Sequence, residues 1–416
     1  MDSQRININV CSEIGKLEHV LVHTPGAEIE NMSPETAQQY LYSDILSMPI
    51  AQNEHHYFKS ALSSVAHVHE ISDMLADILE DDTVKSELLN KICQTENVAF
   101  ITDYLMDMPA DQLASMLIQG VHIDGITFHK NDHFTLLPLP NLFFMRDASF
   151  TMFDNIMISH MTHPVRSRET IILESIYANH PLLRATVVNP VMNYNSGMGN
   201  VEGGDVQIVR DDIILCGLSS RTNMHGIESL SAHLKTIPGV KHLICQELPE
   251  SPESFIHLDM TFTMLDRDKC MVYEPVIMGK GKYRTFHIVI DNKDVSLQDE
   301  DNIPSALNKL GIPVEPISCG GGGNSYFPAR EQWHSGANFF SFAPGKVIGY
   351  ARNLRTIEEL NKHGFDVVRA EDIVAGKDHP DNHKRCVVTI EGSELCRGGG
   401  GARCMTMPIS RQQVEW

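Results

Sequence analysis

The sequence has no apolar run long enough to cross a bilayer, which takes roughly 20 residues. Its most apolar stretch, Phe134 to Met145, is broken by Pro138 and Pro140. The opening Met1-Asp2-Ser3-Gln4-Arg5 lacks the charged-then-apolar pattern of a secretory leader. Cysteines are scattered from Cys11 to Cys404, nine in all, an odd number without a Cys-x-x-Cys pair. That excludes a disulfide framework and a zinc ribbon, and predicts reduced thiols and a cytoplasmic location. Basic residues are scarce as well: Lys+Arg 33 against Asp+Glu 54 leave a net charge of −21. This surplus opposes nucleic-acid phosphates and anionic membranes and suits a cationic small-molecule substrate. The glycine runs at 320–323 and 398–401 do not continue into the Gly-Lys-Ser/Thr of a phosphate-binding loop. His129 and His133 have helical i,i+4 spacing, but Gly125 and the segment Phe134 to Pro140 do not sustain a helix there. No partner pair completes a metal site, so neither a metal nor a cofactor is expected.

What remains is an ordinary soluble composition, 42% hydrophobic and 21% charged over 416 residues. That length holds two or three domains, or one large fold with an insertion. One pattern recurs along it. Asp205 to Leu218 reads as two strands turning at Arg210-Asp211-Asp212, followed by a helix from Glu228 to Leu234 and a strand from His242 to Cys245. Asp259 to Tyr273 repeats the hairpin, with a helix Pro304 to Leu310 stopped by Gly311 and a strand Ile312 to Ile317. Asn338 to Tyr350, Thr356 to His363 and Phe365 to Val368 form another such unit, with Gly364 as the helix cap. Asp147 to Ile158, Arg168 to Ala178 and Ala185 to Val188 form one more. A less regular first unit spans Leu17 to His23, Ala51 to Val65 and His67 to Ile71. Five units are therefore predicted, with Asp147, Asp205 and Asp259 each at the start of a first strand and converging if the units surround an axis. Residues 73–122 carry helical spacing instead and read as an inserted helical subdomain; 1–72 and 123–416 form the α/β domain.

Four segments could carry chemistry. Cys396 to Pro408 places Cys404 beside an arginine and after four glycines, a setting that suits a nucleophile, although by itself a flexible loop with a packed thiol is the commoner case. Asn200 to Asp205 puts Glu202 and Asp205 around a glycine pair. Phe255 to Asp259 places His257 and Asp259 on one face if it is a strand, which suits acid/base work or a structural pair. Pro140 to Asp147 ends in an Arg-Asp pair.

In this order, and together with Cys11-Ser12-Glu13-Ile14-Gly15-Lys16-Leu17 and Arg330-Glu331-Gln332-Trp333, these motifs resemble the arginine deiminase family of guanidine-modifying enzymes. The resemblance implies an α/β fold of five ββαβ units in a pseudo-symmetric, barrel-like propeller, the pentein, with a helical insertion. It implies that Asp147 and Asp259 clamp a guanidinium, that Cys404 attacks its carbon, and that His257, oriented by Glu202, handles protons. Asp205 supports the site, while Asn141, Arg166 and Arg221 receive the α-carboxylate of L-arginine. The implied reaction gives citrulline and ammonia. A dihydrolase or another guanidino hydrolase of the same fold, and a non-catalytic binder, are the alternatives; a homo-oligomer is allowed. The sequence departs from the family at Gly399, where a gating arginine is usual, at Ala402, where proline is usual, and at Met145 and Ala148.

Overall fold

The computed structural model describes residues 5–123, 134–194, 197–279, 281–292, 294–322 and 326–416. His129, His133 and Gly323 lie outside them. β1 (Leu17–Val22) runs parallel to β2 (His67–Glu70), with the helix Met48–Ser63 between them in sequence. β3 (Ser149–Met152) and β4 (Asn155–Ile158) make an antiparallel hairpin, and after the helix Ser167–Asn179, β5 (Val187–Val188) lies parallel to β4. An antiparallel neighbour needs only a turn, whereas a parallel one needs a crossover, so the order strand, strand, helix, strand recurs. β6 (Val206–Arg210), β7 (Ile213–Leu218) and β8 (Lys241–Glu247) repeat it around the helix Met224–Leu234, whose Asn223 side chain caps Gly226 N.

β9 (Phe262–Asp266) and β10 (Lys269–Val272) begin the fourth unit. The chain then leaves it for a hairpin, β11 (Thr285–Asp291) and β12 (Asp294–Glu300), which joins the third sheet through antiparallel pairing of β11 with β8. The helix Ile303–Lys309 and β13 (Glu315–Ser318) complete the fourth unit parallel to β10. β14 (Phe340–Ala343), β15 (Lys346–Tyr350), the helix Leu354–Lys362 and β16 (Asp366–Arg369) follow, with β17 (Cys386–Ile390) inserted between β15 and β16. β18 (Met407–Arg411) returns to pair antiparallel with β1 and supplies the first unit's missing strand. Among the described residues the five sheets stay separate, and no closed barrel forms.

Two features depart from the sequence reading. The strand expected from Ile312 begins only at Glu315, because Ile312 N still bonds Leu307 O after Gly311, at φ 83°, ends the helix. The β11–β12 hairpin and β17 are additions to the repeat.

The helices Ile71–Leu79, Asp82–Thr95, Thr102–Met106 and Ala110–Gln119 follow β2 directly. Asp81 caps the second by accepting from Thr83 N and Val84 N. Their buried stripes, including Leu75, Leu89, Ile92, Leu113 and Leu117, share one apolar core with Ile172 and Ile176 of the helix Ser167–Asn179 and with Ile156 of β4. Among the described residues, no helix is long and apolar enough to cross a membrane.

Candidate active site

The acids that open three of the units stand on single helical turns, not on strands. Met145–Ala148 carries Asp147, Gly203–Asp205 ends on Asp205, and Leu258–Met260 holds Asp259. The strand expected to put His257 and Asp259 on one face is therefore such a turn, with His257 as its extended cap. Asp205 holds it in place: Oδ1 accepts from Leu258 N at 2.9 Å and Oδ2 from Ser219 Oγ at 2.7 Å. Both Asp205 oxygens are thus engaged by protein, and this residue is not on the cavity wall. Gly204 lets the neighbouring ring approach, since a Cβ there would lie 2.6 Å from the His257 imidazole.

Cys404 is held from several sides. Arg146 N donates to Cys404 O at 3.0 Å, and the Cys404 thiol lies 3.8 Å from Asp259 Oδ2. Asn338 Nδ2 donates to Sγ at 3.2 Å. Next to it, Arg403 is fully buried and forks Glu13 through Nε and Nη2 at 3.0 and 3.1 Å while Nη1 reaches Asp259 Oδ2 at 2.9 Å. His257 Nε2 meets Glu202 Oε2 at 3.0 Å, and its Nδ1 lies 3.5 Å from Asp147 Oδ1.

Arg166 Nη1 donates to Asp147 Oδ2 at 2.6 Å, and its Nε and Nη2 fork Glu169 at 2.9 and 2.8 Å. Arg221 Nη1 lies 3.5 Å from Glu202 Oε2, and Asn141 Nδ2 donates to Tyr40 O at 2.8 Å. These residues meet at a cavity of about 40 Å³ whose wall includes Leu41, Asn141, Asp147, Arg166, Arg221, His257, Gly398 to Gly400 and Cys404. Glu202 and Asp259 border this wall through their contacts, Glu202 with His257 at 3.0 Å and Asp259 with the Cys404 sulfur at 3.8 Å. Two buried polar atoms of the wall, Asp147 Oδ1 and Arg221 Nη1, have no hydrogen-bond partner among the described residues. Gly399 also lines an adjoining cavity of about 280 Å³ with Trp333, Arg352 and Arg397.

The electrostatics follow from burial and these neighbours. Burial pushes the Cys404 thiol well above its ordinary value, and the Asp259 and Asp147 carboxylates push it further. Burial disfavours charge on His257, but Asp147, the hydrogen bond to Glu202 and Asp205 outweigh it and raise its pKa to about 9. Glu202 is lowered to about 2, because its bond to His257 and the charge of Arg221 overcome burial. Asp205 is raised to about 6 by burial.

Some residues of these motifs and of this site carried no role in the sequence reading. Glu13 belongs to the Cys-Ser-Glu motif, but its partner Arg403 is 390 residues away. Glu331, in the Arg-Glu-Gln-Trp motif, caps the helix Leu354–Lys362 by accepting from Arg355 N and Thr356 N, both at 2.8 Å. Asn338 sits before β14 with no spacing signal around it. Among the described residues, no group of three His, Cys, Asp or Glu side chains is arranged to hold a metal ion.

The family model described as arginine deiminase matches residues 38–411. A relative named arginine deiminase from Listeria innocua is 31% identical over 427 residues, covering 98% of this chain and 99% of its own. One of the same name from Oenococcus oeni is 30% identical over 438 residues, covering 100% of both chains. Among solved structures, the product-bound N-terminal domain of ArgZ, an arginine dihydrolase of cyanobacteria, shares 13% identity at a TM-score of 0.54, covering 94% of this chain and 97% of that one. The amidinotransferase SxtG from Microseira wollei shares 14% at 0.52, covering 98% of each. At those identities the likeness is one of fold, the pentein. A model match over most of the sequence and relatives at 30% identity or more along its full length establish that this chain belongs to the arginine deiminase family.

Proposed function

We propose that the chain hydrolyses L-arginine to L-citrulline and ammonia through a covalent intermediate on Cys404. One observation carries this reading beyond family membership: the cavity wall presents a buried acceptor, Asp147 Oδ1, and a buried donor, Arg221 Nη1, both without hydrogen-bond partners among the described residues. Each keeps only an ion-pair contact at 3.5 Å, to His257 and to Glu202, so hydrogen-bonding capacity is left on the wall for a molecule with donors at one end and acceptors at the other. Arginine is such a molecule, with a guanidinium fork and an α-carboxylate.

Asp147 and Asp259 hold the guanidinium, and its positive charge offsets the two carboxylates that keep the Cys404 thiol protonated. Binding thereby favours the thiolate beside the carbon it attacks. The sulfur bonds to the guanidinium carbon, and His257, charged at neutral pH, protonates the amino group that leaves as ammonia. The cationic amidino-thioether stays between the carboxylates. Neutral His257 then takes a proton from water as its oxygen attacks, the carbon–sulfur bond breaks, the remaining hydroxyl proton passes to the expelled sulfur, and neutral citrulline leaves. Glu202 orients and charges the imidazole through its 3.0 Å bond. Arg166, Arg221 and Asn141 receive the α-carboxylate, and Asp205 fixes the turn that bears His257. A 40 Å³ cavity is far below the roughly 300–1,000 Å³ of ligand sites, so admission of arginine requires Gly398 to Gly400 or Leu41 to shift.

The test is incubation with L-arginine followed by separation of the products. Citrulline with one equivalent of ammonia supports the reading; ornithine with two equivalents would assign a dihydrolase, and no product would make the chain a binder.

A further inference from the structure

We propose that Asn338 is a further catalytic residue: its Nδ2–H donates to the Cys404 sulfur and stabilises the thiolate, both when it attacks and when it is expelled. The proposal rests on Cys404 being the nucleophile.

Asn338 is 1% exposed, and the network around it permits one orientation of its amide. Oδ1 faces two backbone donors, Arg403 N at 2.9 Å and Cys404 N at 3.3 Å. Nδ2 faces Asp259 O at 3.1 Å and Cys404 Sγ at 3.2 Å, with Met260 Sδ at 3.5 Å. A flipped amide would set donors against donors and an oxygen against a carbonyl, so the nitrogen belongs at the sulfur. Gly401 keeps the amide in place, because a Cβ there would come within 2.7 Å of Oδ1.

The chemistry explains why an amide suits this position. The groups around Sγ include two carboxylates that oppose a thiolate, while a lysine in place of Asn338 would add a positive charge beside the cationic substrate. A neutral donor favours the thiolate without either fault. It joins the Gly401 backbone, which also favours the thiolate form. Hydrogen bonds to charged groups are the stronger class, and here the acceptor becomes charged only as the reaction proceeds.

The decisive variant is Asn338→Leu, which keeps the approximate size, removes the donor and adds no charge to the carboxylates already near Sγ. Asn338→Ala, likewise uncharged and without a donor, gives the same readouts should the leucine variant lose its fold. Alkylation of the free enzyme by iodoacetamide is followed against pH, with peptide mapping of the label, alongside kcat and KM for arginine. Mapping of the wild-type label to Cys404 supports that residue as nucleophile, and mapping elsewhere overturns that reading by itself. With Cys404 labelled, the proposal expects the alkylation profile of the variants to move alkaline by about one pH unit or more. It also expects kcat to fall roughly 10- to 100-fold with little change in KM. A folded variant with the wild-type alkylation profile and wild-type kcat would overturn the role of Asn338 and leave that of Cys404 standing.

Discussion

Arg166 Nη1 donates to Asp147 Oδ2 at 2.6 Å, which directly joins the residue proposed for the substrate's carboxylate to the one proposed for its guanidinium. Both are buried, so the pair has little water to fall back on. Removing one partner of a buried pair costs about 3–5 kcal/mol. Asp147→Asn should therefore lower stability by an amount in that range, measured by urea unfolding, and leave under a hundredth of the citrulline-forming activity. Full activity in this variant would show that the clamp is misplaced.

The Glu202–His257 pair sets a pH window. His257 is raised to about 9, so its contribution to stability is complete below about 6.5 and is lost as pH rises through 9. Glu202 is lowered to about 2, so its contribution is complete above about 4.5 and is lost as pH falls through 2. Thermal melts across pH should show both contributions in full between about 4.5 and 6.5. His257→Gln should flatten the alkaline side of that curve; an unchanged slope would mean that the imidazole is not charged in the fold.

Glu54 clamps the segment that leads to the nucleophile. From the helix Met48–Ser63 its carboxylate accepts from Ser393 N at 2.7 Å, Glu394 N at 3.1 Å and Leu395 N at 2.9 Å. Glu54→Gln keeps the shape but not the charge, and should cost about 1–3 kcal/mol of stability. The glycine loop would sit less firmly, so kcat should fall several-fold. Wild-type kcat with a lowered melting temperature would confine Glu54 to stability.

Cys404→Ser should leave the melting temperature nearly unchanged and abolish turnover, because the covalent step needs sulfur. Mass spectrometry of rapidly quenched wild-type enzyme should find a substrate adduct on Cys404; an adduct on Cys396 instead would move the nucleophile.

Gly399 has φ 91° and open space where a Cβ would stand. An arginine side chain fits there, but its backbone sits in the left-handed region, at a cost of about 1–2 kcal/mol. Gly399→Arg should thus lower stability by about that amount and sharpen the preference for arginine over agmatine, which lacks the carboxylate. For wild type that preference should approach ~10⁴-fold in kcat/KM if the arginines receive the carboxylate. Equal use of both substrates would favour a broader guanidino hydrolase.

Much of this was legible because turns and periodicity are local. Asp211-Asp212 and Pro344-Gly345 mark hairpins, and Gly311 and Gly364 end helices, whatever the rest of the chain does. The motif residues Cys404, His257 and Asp147 could be picked out in the same way, and the fold brings them to one cavity. Partners far apart in sequence could not be read. β12, Asp-Val-Ser-Leu-Gln-Asp-Glu, is almost wholly exposed and shows no core-facing alternation, and it reaches the third sheet only through β11. Asn338 lies 66 residues from Cys404, and nothing in its own neighbourhood announces the thiol.

The pairing of β18 with β1 has a consequence for biosynthesis. A ribosome delivers Asn141, Asp147, Arg166, Glu202, Arg221, His257 and Asp259 before Cys404 emerges, and β18 follows the thiol by three residues. Until then β1 can pair only with β2, and its other edge stays open to unrelated strands. Nucleophile and missing strand arrive together, so a nascent chain gains the means to react in the same stretch of synthesis that covers that edge.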